Sequence, residues 1–160
     1  FFIVFYFFFN FFCFFYNNFY IKTFTMEITY GFLYLAIITL LVVIMQFVLG
    51  ALVGLSRSKH KLLVPKMTGN AEVERHIRVH ENTNEYLLIF LSLLWLSGIL
   101  VNTLLASVFG VIWFLARVNY ARLYYKSSSL RHNSFKLSIL VIVILALITI
   151  YGIILGFLNL

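Results

Sequence analysis

Every charged residue beyond position 30 falls between 55 and 87 or between 116 and 137, and the stretches outside those windows are apolar. The apolar stretches run from Tyr30 to Leu55, Leu87 to Val101, Thr103 to Ala116 and Leu137 to Leu160. The first and last reach the roughly 20 residues that a helix needs to cross a bilayer. The middle two are shorter and complete a span only with their polar extensions. A chain that is 63% hydrophobic and 11% charged lies outside the range of soluble domains. The pattern predicts an all-α, integral membrane four-helix bundle of one domain.

The placement of charge sets the expected orientation. Arg57, Lys59, Lys61, Lys66, Arg75 and Arg78 surround the first connection, and Arg117, Arg122, Lys126, Arg131 and Lys136 the third. The second, near Asn102, is uncharged. The positive-inside rule therefore puts the first and third connections in the cytoplasm and both termini opposite. The net charge of +7 is then mainly a topology signal, with anionic ligands and lipid headgroups as a second use. Nucleic-acid binding fits poorly, because these basic residues sit at membrane ends without a soluble domain.

Residues 1–25 hold 12 of the 19 phenylalanines and lack the basic start and small-residue cleavage site of a secretory signal. Two readings compete for them: an extra hydrophobic segment, or upstream DNA translated before a true start at Met26. The second is favoured, which assigns the domain to residues 26–160. Cys13, the single cysteine, excludes an intrachain disulfide and a cysteine-based metal site. His76, His80 and His132 lack companions at metal-ligand spacing, so no metal is expected.

Helix one is expected over about Tyr30 to Ser56. Its Gly50 and Gly54 either admit a close neighbour or are simply tolerated in a membrane. A basic loop containing Pro65 follows, and Asn70 is placed to cap helix two, with Glu72 and Glu74 in a solvated first turn. Arg78, Asn82 and Glu85 then fall within about 60° of one another on that helix. Polar groups where a membrane helix begins are costly and tend to mark a site. Helix three ends in a second polar stretch, Arg117 to Lys126, in which Tyr120 and Tyr124 are four apart, and it reaches Arg131 through serines. If the helix continued, Arg131 would lie within about 20° of Tyr120. Helix four, Leu137 to Leu160, is uncharged and reads as scaffold.

Guanidiniums, a carboxylate, an amide and two phenols at one depth suit a small zwitterionic, polyanionic ligand. Composition alone does not choose among such anions. Each residue also has a plainer reading. Arg78 meets lipid phosphates, Tyr120 and Tyr124 form an interfacial belt, Arg131 is a topology charge, and Arg117 is a buried ion-pair partner for Glu81 or Glu85.

The stretch from Pro65 to Arg131 resembles the MAPEG family, the membrane-associated proteins in eicosanoid and glutathione metabolism. Within that family it is most like the branch of microsomal glutathione transferase type 2 and leukotriene C4 synthase. The resemblance is carried by Thr68-Gly69, Glu72-Val-Glu-Arg75, Arg78-x-x-x-Asn82-x-x-Glu85-Tyr86, Leu94-Trp95-x-x-Gly98, Ala116-Arg117-x-x-Tyr120-x-x-x-Tyr124 and Ser127-x-x-Leu130-Arg131. It extends more weakly over both outer helices.

The resemblance implies a homotrimer in the endoplasmic reticulum or nuclear envelope membrane, or the inner membrane of a bacterium. Glutathione would bind as co-substrate between subunits near the cytoplasmic face. Arg57, Arg78, Asn82, Glu85, Tyr86, Tyr120 and Tyr124 would hold it, and Arg131 would stabilise its thiolate as the catalytic residue. The implied activity is glutathione transfer to lipophilic electrophiles, with lipid-hydroperoxide reduction in some members. The competing role is a non-catalytic lipid-binding scaffold like the lipoxygenase-activating branch, which lacks part of the arginine and glutamate set kept here. Two positions depart from the pattern. Ser58 replaces a second arginine that is proposed to assist the leukotriene epoxide, and His80 replaces a glutamine. Leukotriene synthesis itself is therefore not expected from this chain with the same force as general conjugation.

Overall fold

The computed structural model describes residues 30–127 and 129–158, so residues 1–25, Met26 and Cys13 lie outside the described part. Four helices follow in order: α1 Tyr30–Lys59, α2 Ala71–Leu100, α3 Thr103–Lys126 and α4 His132–Leu158. At about 1.5 Å per residue, the 30 residues of α1 and of α2 make rods of about 45 Å, longer than the roughly 30 Å hydrocarbon core. The surplus carries the polar turns. All four helices are long and apolar enough to span a bilayer, and large apolar side chains are exposed along each, among them Phe47, Leu88, Val111 and Leu147. In water such a surface would drive aggregation; against lipid it is the ordinary outer face. This is a four-helix membrane bundle.

Boundaries follow local chemistry. Asn70 caps α2 as expected, its Oδ1 accepting from the backbone N–H groups of Glu72 (2.9 Å) and Val73 (3.2 Å). Asn102 does the same for α3 through Leu105 N at 2.9 Å. Helix three does not continue to Arg131: Ser127, in an extended conformation, ends it. α4 begins at His132 rather than Leu137, so its first turn is polar. Glu72 and Glu74 are not merely solvated. Glu72 bonds Lys59 Nζ and His60 Nε2, both at 2.9 Å, while Glu74 Oε1 accepts from Gly69 N at 2.9 Å. These contacts fold the loop between α1 and α2 back onto its flanking helices. Gly69 has φ of 119°, a region L-residues avoid.

α2 and α3 are central. Each packs against α1 and α4 as well as against the other, while α1 and α4 share no contact among the described residues. Phe90 of α2 and Trp113 of α3, both fully buried, stack with centroids 3.8 Å apart and planes 5° from parallel. Small residues set the helix spacing. A Cβ on Gly98 would meet Leu35 Cδ1 at 2.6 Å, and one on Gly110 would meet Ile38 and Leu94 at 3.0 Å. Gly50 likewise admits His80, whose Nε2 lies 3.3 Å from the position of a Cβ, whereas Gly54 faces open space in the subunit. Of Gly50 and Gly54, only Gly50 serves close approach within the subunit, as Gly31 does against Thr103 of α3.

Candidate functional site

The polar groups gather where α2 begins, α3 ends and α4 begins. Two adjoining cavities open there. The smaller, of about 180 Å³, is lined by Asn82 from α2, Tyr120 from α3, Arg131 from the connection, and His132 and Phe135 from α4. The larger, of about 560 Å³, is lined by Met67, Thr68, Ala71, Glu74, Arg75, Ile77, Arg78, Glu81 and Tyr124. They adjoin where the Arg131 guanidinium lies 4.5 Å from the Tyr124 ring centroid. Tyr124 in turn meets Tyr120 edge-on at 5.7 Å. Arg131 thus reaches the tyrosine stripe across the break after Lys126, not along a continuous helix. The serine turn and the new start at His132 bring it back.

Five of the eight residues singled out in the sequence therefore line this region: Arg78, Asn82, Tyr120, Tyr124 and Arg131. Tyr86 lies just beneath, packed edge-on against Phe135 at 5.9 Å. Arg57 and Glu85 do not join them within the subunit. Arg57 Nη1 donates to the Lys66 carbonyl at 2.7 Å, in the loop after α1. Glu85 is exposed and lines neither cavity. The stripe Arg78, Asn82 and Glu85 accordingly fans out: Arg78 faces the larger cavity, Asn82 the smaller, and Glu85 the outer surface.

Arg117 is fully buried, as one reading of the sequence has it, but its partner is neither Glu81 nor Glu85. Its Nη1 donates to Asn82 Oδ1 at 2.9 Å, while Glu81 lies 3.7 Å from Arg78. The guanidinium sits among four rings, 4.9 Å from the Tyr86 centroid, 5.3 Å from Trp113, 5.4 Å from Tyr120 and 5.8 Å from Phe135. Its position three before Tyr120 and seven before Tyr124 puts it on their face of α3, and that was the available signal. His132 and Phe135 were missed because α4 starts a turn earlier than its apolar run. Among the described residues no group of three or more His, Cys, Asp or Glu side chains could hold a metal ion.

Fold and site define a multi-pass membrane protein with a polar pocket sunk into the basic end of a helical bundle. The chain belongs to the MAPEG family, whose sequence model matches residues 35–151. It is 38% identical over 118 residues to an uncharacterized protein of Synechocystis sp., covering 72% of this chain and 86% of that one. It is 32% identical over 125 residues to microsomal glutathione S-transferase 2 of Mus musculus, covering 78% and 85%. To leukotriene C4 synthase of Cavia porcellus it is 34% identical over 97 residues, covering 61% and 65%.

Proposed function

We propose that this protein is a membrane-bound glutathione transferase that joins the glutathione thiolate to lipophilic electrophiles. One observation carries the reading: Asn82, Tyr120 and Arg131, from two helices and a connection, share one cavity beside a larger one lined by Arg78 and Tyr124. Family membership and relatives named as glutathione S-transferase and leukotriene C4 synthase support it.

The arginines meet the two carboxylates of the tripeptide by charge-assisted bonds. Arg131 pairs with the sulfur. A free thiol, with a reference pKa of about 8.5, is mostly protonated at neutral pH, and a nearby guanidinium favours the thiolate. The S–H proton passes to water, and the sulfur lone pair then attacks an electrophilic carbon. At an epoxide the C–S bond forms as the ring C–O bond breaks, and the resulting alkoxide takes a proton from water; at an activated aryl chloride the sulfur adds to the ring carbon and chloride then leaves with the C–Cl electron pair. With a lipid hydroperoxide, two glutathiones are oxidised to the disulfide while the peroxide is reduced to an alcohol and water.

Arg57 and Glu85 fit a site shared between subunits of a homotrimer, where the exposed Glu85 of α2 and the end of α1 would face a neighbour. The acceptor enters from the bilayer, and the basic end faces the cytoplasm of an endoplasmic reticulum, nuclear envelope or bacterial inner membrane. The test is turnover of purified protein with glutathione and 1-chloro-2,4-dinitrobenzene, followed by a panel of lipid epoxides and hydroperoxides. Conjugate formation is expected. Glutathione consumption with none of these acceptors would favour the non-catalytic lipid-binding scaffold instead.

A further inference from the structure

We infer that Arg117 is a positioning residue that locks the Asn82 amide with its oxygen inward, so that Asn82 turns its Nδ2 donor to the ligand. The inference rests on the glutathione reading of the pocket and adds a recognition rule to it: the group opposite Asn82 is a carbonyl or carboxylate oxygen.

A guanidinium has donors only, whereas an asparagine amide has an acceptor oxygen with two lone pairs at one end and two N–H donors at the other. The atom of Asn82 that meets Arg117 Nη1 at 2.9 Å must therefore be the oxygen. Arg117 is fully buried, which holds the donor side of that contact away from solvent. Asn82 also lines the smaller cavity. With Oδ1 committed inward, the Nδ2 hydrogens are what remain for a ligand.

Arg117 cannot easily turn away. Tyr86, Trp113, Tyr120 and Phe135 enclose its guanidinium at 4.9 to 5.8 Å, and Tyr120 and Phe135 are themselves walls of the same cavity. Pure stabilisation is a poor account of the residue. Its Nε and Nη2 are buried with no hydrogen-bond partner, and it makes no ion pair among the described residues. Burying a charge with donors unmet is costly. The surrounding rings offset part of that cost, but the charge's one hydrogen bond goes to a cavity-lining amide, which ties the residue to the site.

The decisive variant is Asn82→Asp in the full-length protein. The aspartate keeps an oxygen for Arg117, as an ion pair, so folding should persist with a thermal midpoint at or above that of the wild type. Its second oxygen replaces the Nδ2 donor. Glutathione affinity by calorimetry should fall about tenfold or more, the loss of one hydrogen bond to a charged group. Arg117→Met should weaken binding through the freed amide, and Arg117→Lys, which keeps a donor, should recover most of it. A merely structural arginine would shift melting in Arg117→Met and leave affinity alone. Wild-type-like glutathione affinity in Asn82→Asp overturns the inference, and that variant decides the matter even if Arg117→Met fails to fold. A wild-type protein that binds no glutathione overturns the functional reading first, and this inference with it.

Discussion

Arg131 and Glu85 sit in contrasting surroundings, and that contrast separates two kinds of contribution. Arg131 lies over the Tyr124 ring and lines the small cavity. Glu85 is exposed, on the face of α2 that lies outside both cavities. If Arg131 acts on the sulfur, Arg131→Ala should lower kcat about a hundredfold while leaving the glutathione dissociation constant nearly unchanged. If the Glu85 carboxylate takes the ammonium of the ligand across a subunit boundary, Glu85→Ala should instead raise that constant. Parallel changes in the two variants would contradict these assignments. Residue-scale packing offers an independent check far from the site. Gly98 leaves only 2.6 Å between a prospective Cβ and Leu35 Cδ1. Gly98→Val should destabilise the bundle by about 1–3 kcal/mol, read as a lowered unfolding midpoint in detergent.

The helices show which parts of the design are local and which are not. The cap at Asn70 was legible from sequence because it depends on neighbours two and three residues away. Asn70→Ala should cost about 1 kcal/mol and speed amide exchange over residues 71–74 without disturbing α3. Arg117 was only half legible. Its helical phase with Tyr120 and Tyr124 follows from spacing, but its partner depends on the register of α2 against α3, which places Asn82 opposite it and leaves Glu81 to Arg78. The early start of α4 was hidden for another reason. His132, Asn133 and Ser134 look like loop by composition, yet Ser134 is buried, and its hydroxyl accepts a 2.7 Å hydrogen bond from Asn119 of α3. That turn carries Phe135 into the cavity wall. The catalytic role of Arg131 came from resemblance alone, and the break after Lys126 shows that its nearness to Tyr124 does not follow from phase along one helix.

For the whole molecule, two long rods in the middle and two lipid-facing rods outside put every polar feature of the site at one end. The loop between α1 and α2 and the turn between α3 and α4 lie together at that end, and the α2–α3 turn lies at the other. Single cysteines at Lys61 and Ser129, in a Cys13→Ser background, should react with an impermeant thiol reagent from the same side of the membrane. One at Asn102 should react only from the opposite side. Labelling of all three from one side would contradict the four-span topology. The central claim concerns chemistry at the basic end, namely that the pocket binds glutathione and ionises its sulfur. The most direct test is the ultraviolet absorption of thiolate when glutathione is added to the purified protein at neutral pH. The account predicts a thiolate band that saturates with bound glutathione and is lost in Arg131→Ala although that variant still binds. Bound glutathione without the band in the wild-type protein would contradict it.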